Sequence, residues 1–283
     1  MASPTPLQDL GFQQEDMLVL EDPQFRPENV FIATGATSGI GQALAVAAAA
    51  NGLSVLGVGT NEEAGHQTAR AIESMGGRMT FLRGDLTCDK DIEAVIDKAA
   101  SMGDIKFLAN VAGIQHISRI EDFPMEQYDH MQRLMQRAPF YLAKLAIPHM
   151  QRSADGCGVI GNMGSIHAHV SALAKPVYCM VKFALRGLSQ SISAEGGGKV
   201  RSFSLTTPYV KTPLVMNQIP DQARARNITP EEVVRDVMLG GARVKELMMP
   251  VEAANLFLFG FSHHARYLVG SDMNFDGGIL LTY

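Results

Sequence analysis

Seven short apolar runs recur along the chain, at 30–34, 53–58, 79–83, 105–109, 158–163, 200–206 and 267–275. Amphipathic patterns of helical period fill the gaps, at 41–51, 62–75, 89–100, 125–151 and 176–194. The runs are nearly continuous in apolar residues rather than alternating. Strands of that kind are buried on both faces, so the pattern predicts an α/β fold with a parallel sheet covered by helices on either side. The stretch 213–250 breaks the rhythm and reads as extra helices, most clearly at 230–239, before a last helix and strand. Long insertions near the carboxyl edge of a sheet commonly form lids or binding walls. The expected organisation is one domain over 28–283 with a cap at about 213–250. Ahead of it stands a polar extension, 1–27, rich in Pro and Gln, lying on the surface or on a neighbouring subunit.

At 283 residues and 46% hydrophobic content, one domain of this kind can bury a substantial core. A net charge of −5, with no basic run, argues against nucleic acid or an anionic membrane as partner. The opening residues contain acids and no arginine, unlike a transit peptide, and the longest apolar run, 43–50, is too short to span a bilayer. Cys88, Cys157 and Cys179 lack metal-ligand spacing, so no metal is expected and the thiols read as reduced. The expected setting is the cytoplasm.

The first run ends in a glycine-rich turn containing Gly35, Thr37, Ser38, Gly39, Ile40 and Gly41. A bound diphosphate needs close backbone approach, free N–H donors and a helix N-terminus aimed at it, and these residues allow all three. Three residues separate the first two glycines, so the familiar G-x-G-x-x-G spacing applies only by analogy. The second run ends in Val58, Gly59, Thr60 and Asn61, with neither an acid for ribose hydroxyls nor a base for a 2′-phosphate. With no arginine in the glycine turn, NAD is the expected cofactor over NADP. Asp85 and Leu86 are placed to meet its adenine, and Asn110, Ala112 and Gly113 to line it and steady the sheet.

About 130 residues further on, Tyr178 and Lys182 stand four apart in a helical pattern that Pro176 opens. A free phenol, with a pKa near 10, is a poor proton donor at neutral pH, and lowering it by about three pH units takes about 4 kcal/mol. An ammonium about 4 Å away supplies about that much at an effective dielectric near 20. Ser165, after the fifth run, can hydrogen-bond a substrate oxygen. This set suits hydride transfer from a nicotinamide coupled to proton transfer by Tyr178.

In order and spacing, the glycine turn, Asn110 to Gly113, Ser165, Tyr178, Lys182 and the closing Asp276, Gly277, Gly278 resemble the short-chain dehydrogenase/reductase family over nearly all of 30–283. The resemblance implies a Rossmann-type, doubly wound seven-stranded parallel sheet with a small helical lid, and a homotetramer. It also implies a catalytic core of Ser165, Tyr178 and Lys182, with Lys182 on the nicotinamide ribose and Val210 and Thr212 at the nicotinamide end. Within the family the chain is most similar to the soluble bacterial D-3-hydroxybutyrate dehydrogenases, through Ala112 to His116, Gly164 to His167, Lys175, the Gln218, Ile219, Pro220 triplet and the run 231–245. By that resemblance Gln115, Ser165, His167, Lys175 and Gln218 hold a small keto- or hydroxy-acid. A cation with amide donors is also what a substrate carboxylate asks for.

Four positions depart from the family pattern. Met135 stands where many members carry a water-holding Asn, with Gln136 beside it as a candidate substitute. Phe203 takes the place of an Asn in the sixth strand, and Thr207 and Pro208 replace a Pro-Gly pair. Two alternatives therefore stay open: a dehydrogenase for another hydroxy acid, a polyol or a secondary alcohol, and an NAD-binding sensor or scaffold with weakened catalysis.

Overall fold

The computed structural model describes residues 7–281. Its centre is a parallel sheet of seven strands: β1 (Asn29–Thr34), β2 (Ser54–Gly59), β3 (Arg78–Arg83), β4 (Asp104–Asn110), β5 (Gly158–Met163), β6 (Val200–Thr206) and β7 (Asp272–Asn274). They lie in the order β3-β2-β1-β4-β5-β6-β7. Strand periodicity sends alternate residues to opposite faces. Phe31 and Ala33 pack with Phe107, Phe203 and Leu205 against α1 (Gly39–Ala50), α2 (Glu62–Ser74) and α10 (Pro250–Phe261). Val30 and Ile32 pack with Leu56, Ile105 and Ile160 against α3 (Asp89–Met102), α5 (Ala138–Arg152) and α6 (Pro176–Glu195). The doubly wound α/β arrangement is as expected.

α1 carries Ala43, Ala45, Ala47, Ala48 and Ala49, all buried, and their small side chains let it lie close to both the sheet and α10. Phe203 belongs to this layer: its ring meets Phe257 and Phe261 with centroids 5.5 and 5.2 Å away. Its substitution for Asn is therefore a matter of core packing, away from the cofactor turn.

Two elements differ from the sequence pattern. The helical stretch predicted over 125–151 consists of α4 (Met125–Gln132), a π turn (Arg133–Arg137) and α5. Pro139 has no N–H to give the Met135 carbonyl, and the chain widens there, with Ala138 N–H reaching Arg133 O. The last strand is three residues rather than nine. Gly270, at φ +71°, turns the chain just before it, and Tyr267 is 83% exposed.

Residues after β6 form α7 (Pro213–Asn217), α8 (Ile219–Arg226), α9 (Pro230–Glu232) and a π turn (Val233–Met238). Val215, Ile219, Ala223, Val233 and Met238 cluster with Ile166 and Tyr209, so this segment has its own small core over the carboxyl edge of the sheet. Thr229 and Glu232 cap α9 reciprocally.

From residue 7 onward the extension lies against its own chain. Phe12 and Met17 enter the α1–α10 layer. Asn51 accepts from Leu20 N and donates to Leu18 O, Asp22 accepts from His263 N, and Ser54 donates to Pro27 O. Residues 1–6 and 282–283 lie outside the described residues. No helix among the described residues is long and apolar enough to cross a membrane.

Candidate active site

The strand order changes direction at β1, whose neighbours are β2 and β4, and sheets of this type open a crevice at such a point. A cavity of about 400 Å³ lies there, at the carboxyl ends of the strands. Gly35, Thr37, Ser38, Gly39, Ile40 and Gly41 line it, as do Asp85, Leu86, Ala112, Gly113, Ser165, Tyr178, Lys182, Val210 and Thr212.

Gly35 and Gly39 adopt φ of +71° and +56°, and a Cβ on Gly41 would strike the Gly35 carbonyl. Ser38 is the N-cap of α1, yet its hydroxyl does not cap the helix, so the first-turn N–H groups remain for a ligand. A groove that any side chain would fill, at a helix N-terminus, fits a dinucleotide diphosphate. Thr34 fixes the neighbouring strand exit: its Oγ1 donates to Ala109 O and accepts from Val111 N and Ala112 N. Asp85 accepts from both Thr87 N and Thr87 Oγ1, and the backbone bond is the main reason its carboxyl lies below its ordinary value. Asn110 does not line the cavity. Its amide donates to Asn162 Oδ1, 2.9 Å away, which ties β4 to β5.

Tyr178 and Lys182 share one face of α6. The Lys182 ammonium sits 5.3 Å from the Tyr178 ring centroid and donates to Met163 O at 2.7 Å. Burial brings Lys182 down to about 8. It also pushes Tyr178 up to about 12, against a hydrogen bond from Ser165 that pulls the other way. The expected acidification of the phenol by the ammonium is therefore absent from the protein alone. Desolvation prevails where both groups leave water, and the cation stands over the ring with its proton committed to a carbonyl.

A second, small cavity of about 40 Å³ adjoins Ser165 and Tyr178. All five residues predicted to meet the substrate line it: Gln115, Ser165, His167, Lys175 and Gln218. Lys175, the N-cap of α6, is 2% exposed and sits 4.9 Å from the Tyr209 ring centroid. Burial, then repulsion from Arg226, lowers it to about 7. Burial and Lys175 lower His167 to about 3, so it is neutral. With Nδ1 3.3 Å from Val170 O, the proton belongs on Nδ1. Its buried Nε2 then offers a lone pair, and it has no partner among the described residues. His167 accepts rather than donates, which leaves an anion here to Lys175 and the glutamines. Gln218 donates to Leu214 O and accepts from Gln222, which locks its amide.

Sequence reasoning missed Tyr209 and Arg226. No motif marks them, because both reach the site through the fold of the segment after β6. Behind Tyr178, Met135 is 1% exposed and clusters with Met131, Val177 and Val181. Gln136 is exposed on the outer side, so it does not take the place of the missing Asn.

The family model for short chain dehydrogenase matches residues 29–223. D-beta-hydroxybutyrate dehydrogenase of Rhizobium meliloti is 34% identical over 253 residues, covering 87% of this chain and 96% of the relative. That of Cupriavidus necator is 32% identical over 251 residues, with 87% and 96% covered. L-sorbose reductase from Gluconobacter frateurii, solved with NADPH and L-sorbose, superposes with a TM-score of 0.83 at 27% identity, over 93% of this chain and all of that one. With its seven-stranded sheet and a family match across most of its length, the chain belongs to the short chain dehydrogenase family of oxidoreductases.

Proposed function

We propose that this dehydrogenase interconverts D-3-hydroxybutyrate and acetoacetate with NAD. One observation carries the substrate reading: a buried lysine without an acid partner among the described residues lines a small cavity with Gln115 and Gln218 that also touches Ser165 and Tyr178. A carboxylate on Lys175 then leaves the carbon two bonds away near the phenol. A neutral polyol or alcohol gives the buried cation nothing to pair with.

Gly35, Thr37, Ser38, Gly39, Ile40 and Gly41 would hold the diphosphate, Asp85 and Leu86 the adenine, Ala112 and Gly113 the middle of the molecule, and Val210 and Thr212 the nicotinamide end. When bound, the nicotinamide supplies the hydride donor or acceptor. Ser165 hydrogen-bonds the reacting oxygen, and Tyr178 gives or takes its proton. At about 12 the phenol holds a proton ready for a developing alkoxide. In the oxidative direction it must release one. A full charge at about 5 Å is worth about 3 kcal/mol at an effective dielectric near 20, or about two pH units. With Lys182 beside its ring Tyr178 still lies at about 12, so a further positive charge, such as that of an oxidised nicotinamide, would be what favours release of the proton. The helices of 213–249 act as a lid over the substrate.

NADP is the second cofactor reading, favoured by Arg83, which is exposed and in register with Gly59 at the carboxyl end of β2. The homotetramer is supported by Phe140, Met180 and Phe183, which expose 59%, 50% and 45% of their surface on the outer faces of α5 and α6. Reduced-nicotinamide absorbance, scored over short 3-hydroxy acids of both hands with NAD and NADP, tests the assignment. D-3-hydroxybutyrate with NAD is expected to give the highest kcat/KM. Preference for a neutral alcohol would overturn the substrate, and preference for NADP the cofactor.

A further inference from the structure

Resting on this reading of the substrate, we infer that Arg226 is a second cation of the anion subsite, selecting a carboxylate over a neutral group from behind the cavity wall. Arg226 does not line the cavity. It is the last residue of α8, and its Nη2 donates to Leu173 O, 3.3 Å away, in the loop that leads to Lys175. Its Nη1 is buried and has no hydrogen-bond partner among the described residues. The guanidinium nevertheless acts on three residues around the cavity: it repels a proton from Lys175 and His167, and it favours ionisation of Tyr209.

The charges around this point do not balance. Arg226 and Cys179 are the groups that bear on Lys175, and His167, Tyr178 and Tyr209 stand beside it in the cavity wall. Among the described residues no Asp or Glu lines the cavity. Of the acids nearest in sequence to Arg226, Asp221 pairs with Arg224, Glu232 accepts from the Thr229 backbone, and Glu231 is exposed on α9. One cation therefore lines this buried space and a second stands behind its wall, and among the described residues no acid lines it. His167 adds no charge, because it is neutral and its Nδ1 is occupied by Val170 O.

Such a pair is unfavourable while the space holds no anion and favourable once it does. A lysine can shed its proton to relieve the repulsion, whereas a guanidinium keeps its own, so the arginine maintains a positive field in the cavity. A carboxylate entering it satisfies both cations, and Lys175 takes up a proton as it binds. An alcohol or amide of the same shape leaves the repulsion in place.

The test is calorimetric titration of the full chain with butyrate and with butyramide, which share a shape and differ in charge. Wild type is expected to bind butyrate at least about tenfold more tightly than butyramide. Arg226→Gln should weaken butyrate about tenfold and leave butyramide unchanged, and Arg226→Lys should restore most of the loss. Butyrate affinity should fall above about pH 7 as Lys175 loses its proton. In Arg226→Gln that fall should begin at higher pH, because a like charge has been removed. Loosened packing would not move the alkaline limb in that direction. Equal loss of both ligands, an unmoved limb, or no preference for butyrate in wild type would overturn the inference. If butyrate binds as described but no hydroxy acid is turned over with NAD or NADP, the substrate reading falls and the anion subsite stands.

Discussion

The two edges of the sheet treat buried charge in opposite ways. At the amino edge, Lys106 is 1% exposed and bonded to Ser153 Oγ, the Asp155 carboxylate and Cys157 O. Arg201 closes the end of α10 by donating to the carbonyls of Gly260, Phe261, Ser262 and Leu268. At the carboxyl edge, Lys182 has one carbonyl, Lys175 has an aromatic face, and His167 Nε2 has nothing among the described residues. Burying a charge costs free energy at either edge. For Lys106 and Arg201 the chain's own hydrogen bonds offset that cost, and for Lys175 and His167 Nε2 none does among the described residues, which is the expected signature of structure at one end and a ligand site at the other.

The largest effect should come from Tyr178→Phe. Removing one oxygen is expected to lower kcat by about a thousandfold or more while NADH affinity, read by fluorescence titration, and Tm stay nearly the same. Retained turnover would remove the phenol from the reaction and with it the chemical reading of this edge.

One substitution made at both edges sharpens the contrast. Lys106→Met strands the Asp155 carboxylate and should lower stability by about 1–3 kcal/mol. Lys175→Met removes a buried cation with no counter-charge among the described residues and should raise stability by about 2 kcal/mol while abolishing carboxylate binding. The pH dependence follows from linkage. Lys175 has a folded value of about 7, below its ordinary value of 10.5, so between these limits the unfolded chain binds more protons. Its cost is therefore full below pH 7 and declines as pH rises, and the advantage of Lys175→Met should shrink over the same range. Asp155 works in the other direction. Lys106 and the Cys157 N–H hold its carboxyl below the usual range, so its contribution is present above about pH 4 and is lost on acidification. Urea unfolding from pH 3 to 10 measures both. Equal signs for the two Lys→Met changes would end the comparison.

Much of this division was legible in the sequence, for identifiable reasons. The seven apolar runs located the strands because parallel strands buried on both faces leave a continuous signal. The glycine turn and the Tyr178–Lys182 pair were readable because each is local, fixed by spacing along one turn or one helix. Lys175 joined them because Pro176 fixes where α6 starts. The direction of the Tyr178 proton equilibrium was not readable, since spacing reports the presence of an ammonium but not how much water both groups lose. Asn110 belongs to the sheet because its partner, Asn162, is 52 residues away. Arg226 escaped notice because only the folding of α8 over residues 170–175 brings it near Lys175. The tie between residues 7–27 and the amino edge was likewise hidden, since polar segments of that composition lack a periodic pattern.

That tie supplies the subtlest prediction. Asn51 is buried at the end of α1, and its side chain accepts from Leu20 N while donating to Leu18 O and Ala47 O. Asn51→Ala keeps the extension in place through Phe12 and Met17 but leaves the Leu18 and Leu20 backbone groups to find water. The expected loss is about 1–2 kcal/mol, with faster hydrogen exchange confined to the extension and the end of α1. Because α1 runs from this edge to the glycine turn at the other, the variant also asks whether the edges are independent. An unchanged kcat/KM and cofactor KM would mean that α1, packed by its alanines between sheet and α10, does not transmit the disturbance. A rise in cofactor KM beyond about threefold would mean that α1 carries strain from its last residue to its first turn. The partnered edge would then be setting the geometry of the unpartnered one.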